Sequence, residues 1–161
     1  MRDTLLEWLE DLDGVWQPPR FHPEGDALTH SLQVFDRALA ATRDPELHTA
    51  ALLHDIGKSM DIAEHAELGA DLLDGVFSER VTRLVRHHMD LLRRPRQTRR
   101  HFANTPFLRD LELLRRLDLA GRVKGARTIR LDHAVELILE YMNAGAITPP
   151  DRGLAAMEDA P

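Results

Sequence analysis

Apolar residues recur at three- and four-residue spacing in segment after segment of this chain, and no segment shows convincing two-residue strand alternation. That periodicity restricts the fold to helices. In TLLEWLEDL, the residues Leu5, Leu6, Trp8, Leu9 and Leu12 form one series, which stops at Gly14. In ALTHSLQVFDRALAATR, the residues Leu28, Leu32, Phe35 and Leu39 share a face. PELHTAALLHDIGK opens on Asp44 as N-cap with Pro45 in the first turn, and Gly57 is expected to close it. Further helices are predicted over AEHAELGADLLDGVF (Leu68, Leu72, Leu73), over SERVTRLVRHHMDLL opened by Ser78 (Val81, Leu84, Val85), over FLRDLELLRRLDLAGR, and over 129–143. The predicted class is all-α, a compact helical bundle of unequal helices.

Connections follow from prolines, glycines and charge. VWQPPRFHPEGD reads as a loop, RRPRQTRRHFANTP as a long basic connection, and 146–161 as a loosely packed tail. The 161 residues suit one domain with one core. A net charge of -6 argues against general coating of nucleic acid, and no apolar run approaches a membrane span. The acidic start MRDTLLEWLEDLDG is unlike a signal peptide, so a cytoplasmic location without membrane partner is expected. The sequence does not fix an oligomeric state.

There is no cysteine, so any metal must be held by His, Asp and Glu. A single histidine on an apolar helix face is ordinarily a core residue. Here, however, polar residues stand beside apolar stripes repeatedly: His30, the pair His54-Asp55, His65, the pair His87-His88, and Asp118. Burying so many without partners is costly, and a shared metal is an economical explanation. Imidazole with carboxylate suits a divalent Mn, Fe, Ni, Co or Zn ion, with Mg less matched to nitrogen donors. Phosphate loops of the P-loop type, GxSxG elbows and HExxH motifs are absent.

The ordered series His30, His54-Asp55, Asp118 resembles the H…HD…D signature of the HD-domain phosphohydrolase superfamily. The segments FHPEGDALTHSLQVFDRAL, AALLHDIGK, HAELGADLL and LDLAGR are similar to the HD domain of bacterial CCA-adding tRNA nucleotidyltransferases and related phosphatases, over about 21–123. The resemblance implies an HD-type bundle with a first metal on His30, His54, Asp55 and Asp118. It also implies a second position in which Asp55 bridges to His65 with His87 or His88, His87 being slightly favoured. Asp55 would thereby take part in catalysis. No nucleotidyltransferase domain precedes the motif in the 161 residues, so nucleotide addition is not expected of them.

Lys58, four residues after His54, is placed to hold a substrate phosphate, or else is a solvated helix-end lysine. Arg93, Arg94, Arg96, Arg99 and Arg100 follow the histidine pair closely, and Arg94 and Arg122 are the expected substrate-binding arginines. A solubilising role for the basic segment is the plain alternative. Phe102 is the only stacking aromatic expected near the site, so extended single-strand binding is not expected. His48, His101 and His133 are expected at the surface, and Glu24 and Asp26 as caps of the His30 helix, with an approach to the metals as their alternative. The function expected from the resemblance is hydrolysis of phosphate esters on nucleotides or nucleic-acid ends, by a phosphatase or 2',3'-cyclic phosphodiesterase. Its alternatives are a nucleoside polyphosphate or dinucleotide hydrolase, and a non-catalytic module that binds a nucleotide or an RNA-processing partner.

Overall fold

The computed structural model describes residues 1–149, and among them the only ordered elements are helices and one isolated bridge between Trp16 and Asp26. Helices α1 (Arg2–Glu10), α2 (Ala27–Ala41) and α3 (Pro45–Leu53) are followed by a 3-10 turn, Ile56–Ser59. Then come α4 (His65–Leu73), α5 (Glu79–His87), the short α6 (Asp90–Arg93) and α7 (Pro95–His101), α8 (Pro106–Ala120) and α9 (Leu131–Asn143). Among the described residues no helix is long and apolar enough to cross a membrane.

Local chemistry explains the starts. The Asp26 carboxylate accepts from Thr29 N at 2.7 Å and opens α2. Asp44 accepts from the amides of Glu46 and Leu47, ahead of Pro45 in the first turn of α3. Ser78 and Thr105 do the same for α5 and α8. Packing then joins α2 to α3, α3 to α5 and α8, and α1 to α9, around Phe35, Leu52, Leu53, Leu84, Leu111 and Ile138, all fully buried.

Two glycines set how closely the site-bearing elements approach. A Cβ on Gly57 would lie 2.2 Å from His65 O and 2.7 Å from Gly69 N, so the 3-10 turn presses backbone to backbone on α4. A Cβ on Gly121 would meet Val34 Cγ2 at 2.5 Å, so the end of α8 lies directly on α2. Gly57 is therefore not the residue that ends α3, as its place in the sequence suggests. The helix ends at Leu53, His54 keeps helical angles, and Asp55 leaves them at φ -107° and ψ 3°.

Three other expectations are corrected. The basic connection, 93–106, takes in the last residue of α6 and all of α7, because Pro95 starts a helix, the Thr98 hydroxyl donates to Asp90 O and Arg94 O, and Phe102 is buried. His48 is buried rather than exposed, held between the Tyr141 hydroxyl at 2.9 Å and Thr42 O at 3.1 Å. The start of the tail is packed: Ile147 is fully buried and its carbonyl accepts from Ser78 N at 2.7 Å. Residues 150–161 of that tail lie outside the described residues.

Candidate metal centre

Five helices and the turn after α3 deliver polar groups to one buried cluster. His30 comes from the first turn of α2, His54 and Asp55 from the end of α3, and His65 from the first residue of α4. His88 is the C-cap of α5, and Asp118 lies in the last turn of α8. All six are buried.

The carboxylate of Asp55 is central. Its Oδ2 lies 3.3 Å from His54 Nε2 and 3.8 Å from His30 Nε2. Its Oδ1 lies 3.3 Å from His65 Nε2 and 3.6 Å from His88 Nε2. The donor atoms of His30, His54 and Asp55 all fall within 4.8 Å of one another, and so do those of Asp55, His65 and His88. Asp118 joins beside His30, its Oδ1 being 3.1 Å from His30 Nε2.

Backbone carbonyls orient three of the rings. His54 Nδ1 donates to Ala51 O at 2.9 Å, His65 Nδ1 to Ile62 O at 2.7 Å, and His88 Nδ1 to Val85 O at 2.6 Å. A carbonyl only accepts, so each ring carries a proton on Nδ1 and turns its Nε2 toward the cluster. Ala51 and Val85 stand in the last turns of α3 and α5, where carbonyls have fewer backbone partners than in mid-helix. His30 is oriented differently: its Nδ1 is 2.7 Å from Glu24 Oε1, which also accepts from His22 Nδ1 at 2.9 Å.

Burial sets the charges. Desolvation of the His54 ring lowers its pKa to about 3, so the ring is neutral and its Nε2 is a free lone pair at neutral pH. Burial also lowers His30, but the carboxylates of Asp118, Glu24 and Asp55 outweigh it and raise the ring to about 9. Burial opposes ionisation of Asp55 and Asp118, yet surrounding histidines, with Lys58 for Asp55 and Arg122 for Asp118, hold both below the usual carboxylate range.

Two features show that the residues suit a cation. His54 Nε2 is buried with no hydrogen-bond partner among the described residues. His65 Nε2 and His88 Nε2 are 3.0 Å apart, although the Nδ1–H of each ring is already turned to a backbone carbonyl. Two lone pairs at that separation require a proton or a metal between them or beside them. Imidazole nitrogens with carboxylate oxygens and no thiolate match a divalent transition ion.

The remaining sequence candidates are distributed unequally. His87 belongs to neither group of donors. Adjacent residues diverge on a helix, and its ring packs on Phe102 and Phe107 while Nδ1 meets Asp90 Oδ2 at 2.8 Å. The fold thus places His88, not the favoured His87, beside His65. Lys58 Nζ donates to Asp55 Oδ2 at 2.6 Å and to Gln17 Oε1, at the edge of a cavity of about 590 Å³ above the cluster. Arg122 lines that cavity and grips Asp118 with Nη2 at 2.8 Å from Oδ1. Arg94 does not line it; it is exposed and pairs with Asp90, while Arg93 reaches the cavity wall.

Several residues were missed. Arg115 donates to Asp118 Oδ2 at 2.6 Å, a contact legible in its position one helical turn earlier. Glu24, expected as a cap with an approach to the metals as its alternative, follows the alternative: it braces His30 and its donor falls within 4.8 Å of those of His22 and His30, while Asp26 fills the cap. Phe102 does not line the cavity, whereas Trp16 and Phe21 do. Nothing in the sequence of their proline-rich loop said where it would fold back.

The HD domain family matches residues 27–141. A multifunctional CCA protein of Methylococcus capsulatus is 34% identical over 173 aligned positions, which cover 98% of this chain and 36% of that protein. A second, from Halorhodospira halophila, is 45% identical over 74 positions covering 42% of this chain and 18% of that protein. The chain thus spans about a third of the length of the first relative and less of the second. With a match that runs from the helix bearing His30 through the one bearing Asp118 and on into α9, the chain belongs to the HD domain family.

Proposed function

We propose that the chain is a metal-dependent phosphohydrolase acting on nucleotides or nucleic-acid terminal phosphates, as a phosphatase or 2',3'-cyclic phosphodiesterase. The observation that carries this reading is the Asp55 carboxylate, whose two oxygens face two separate pairs of imidazole Nε2 atoms. His30, His54, Asp55 and Asp118 would hold one divalent ion, and Asp55, His65 and His88 a second. When bound, such ions supply an activated water and neutralise charge on phosphate oxygens.

The chain's own residues do the rest. Ala51, Ile62 and Val85 carbonyls keep three Nε2 lone pairs aimed inward. Lys58 fixes the tilt of Asp55 and adds positive charge at the cavity edge. His30, His54 and Arg122 favour the ionised form of Asp118, Arg115 and Arg122 hold it by hydrogen bonds, and both arginines line the cavity where a phosphate dianion would enter. The resemblance to the HD domain of CCA-adding enzymes supports a nucleotide or nucleic-acid end as substrate.

The test is metal analysis of the purified chain together with a turnover screen. Substrates are p-nitrophenyl phosphate, bis-p-nitrophenyl phosphate and the 2'-, 3'-, 5'- and 2',3'-cyclic nucleotides, each with Mn, Ni, Co or Mg. One or two equivalents of metal, with turnover lost in His54→Ala, is the expected result. No turnover with any cation would leave a binding module in its place.

A further inference from the structure

Eight large hydrophobic side chains are exposed among the described residues, and five of them line the cavity above the cluster: Trp16, Phe21, Ile62, Leu92 and Leu119. Apolar exposure is therefore gathered at this mouth instead of being scattered. The floor beneath it is ionic, with Asp55, Lys58, Arg115 and Arg122. A ligand that satisfies both levels has a phosphate and, next to it, a flat group with apolar faces.

Trp16 is built to meet that flat group. Its backbone is pinned by an antiparallel bridge to Asp26, with Gln17 N donating to Gly25 O and Ala27 N donating to Val15 O, each at 3.0 Å. Its ring is braced on the bare backbone of Gly25, where a Cβ would lie 2.9 Å from Cζ3 and where φ is +106°. Despite that bracing Trp16 is 73% exposed. Its neighbour Gln17 turns inward and accepts from Lys58 Nζ, which in turn donates to Asp55. The tryptophan is thus one residue away from a hydrogen-bonded chain that ends on the central carboxylate, so its height above the cluster is fixed. Phe21 lines the same mouth and carries the Arg20 guanidinium 4.8 Å from its ring centroid.

We propose that Trp16 is the platform on which the base of a nucleotide, or of the last nucleotide of a strand, stacks while its phosphate occupies the ionic floor. The inference rests on the phosphohydrolase reading for the phosphate and adds the base as the second recognised group. Trp16 is then a specificity determinant, selecting base-bearing esters over sugar phosphates.

The test uses the full chain loaded with Mn. Initial rates are compared for adenosine 2'-, 3'- and 5'-monophosphate, adenosine 2',3'-cyclic phosphate and ribose 5-phosphate, in the native protein, Trp16→Ala and Trp16→Phe. Stacking of one base on an aromatic side chain corresponds to roughly a 5- to 150-fold effect. Trp16→Ala is expected to lose about tenfold or more in kcat/KM for the best nucleotide, mainly through KM, and to leave ribose 5-phosphate unchanged. Trp16→Phe should keep most of the preference. Equal losses on nucleotide and sugar phosphate, or no loss on either, would overturn the platform.

Binding is read separately by tryptophan fluorescence of the metal-free protein titrated with the adenosine monophosphates. Quenching is expected in the native protein and not in Trp16→Phe, which retains only Trp8. Quenching without turnover of any ester would remove the hydrolase reading and keep the platform. Turnover with no base preference and no quenching would remove the platform and keep the hydrolase.

Discussion

His65 and His88, placed by different helices, aim their Nε2 atoms at each other across 3.0 Å while the Nδ1–H of each donates to a backbone carbonyl. A cation placed against both, and against Asp55 Oδ1, removes that lone-pair conflict. A ligand that binds only the folded chain stabilises it by about 2.7 kcal/mol at a hundredfold excess over Kd. For a domain of this size that corresponds to a Tm rise of about 5 °C or more. Thermal scans with and without Mn should show that rise. His65→Ala and His88→Ala should each bind about one equivalent fewer than the native protein and show a smaller rise. An unchanged Tm across all cations would refute metal binding by the cluster.

Neighbouring histidines on α5 should separate cleanly. His87→Ala keeps the donor groups intact and loses edge-to-face contacts with Phe102 and Phe107, a cost of about 1–2 kcal/mol. His88→Ala removes a donor beside Asp55 while touching neither phenylalanine pair. Urea midpoints and metal content should therefore move in opposite variants: stability falls in His87→Ala at full metal content, and metal content falls in His88→Ala.

A methyl group at Gly57 has no room. Its Cβ would enter within 2.2 Å of His65 O and 2.7 Å of Gly69 N, both backbone atoms that cannot swing aside. Overpacking of this kind costs about 1–3 kcal/mol, occasionally more. Relief must come from moving the 3-10 turn off α4, which carries His65 away from Asp55. Gly57→Ala should lower the urea midpoint and reduce metal affinity together. Unchanged affinity in a destabilised variant would show that the turn and the donors are independent.

Much of this was legible before the fold was known, and the reasons are local. Helix starts follow from Asp26, Asp44 and Ser78, side chains that satisfy amides a few residues away. The all-α class follows from period alone. What the sequence did not carry is rotation at helix ends. His87 and His88 are equivalent by composition, and only the direction of the C-cap turn sends one to Phe102 and the other to Asp55. Long-range return of a loop is equally silent: Trp16 comes to the cavity because Val15 and Gln17 pair with Ala27 and Gly25 across the prolines. His48 was read as exposed because its partner Tyr141 lies 93 residues away.

Acid should loosen the α3–α5 junction through one carboxylate. Asp44 caps α3 and accepts from Arg80 Nη2 at 2.6 Å, while the same guanidinium also meets Glu46 and Asp110. Partial burial raises the Asp44 pKa, but the bonds from Arg80 and from two backbone amides outweigh it, leaving the group below its ordinary value. A carboxyl whose pKa is lower in the folded state adds stability above its unfolded pKa of about 3.9. That contribution is lost as pH falls through the folded value. Solvent reaches both partners, whose side chains are 30% and 31% exposed, so screening keeps the effect modest. Asp44→Asn preserves a good N-cap while removing the charge, which isolates the ion pair from the cap. Urea midpoints of the native protein should therefore drop more steeply than those of Asp44→Asn between about pH 5 and pH 2, with the two curves converging at the acid end. Parallel curves over that range would mean that the Arg80 pair contributes nothing to folding and that Asp44 acts as a cap alone.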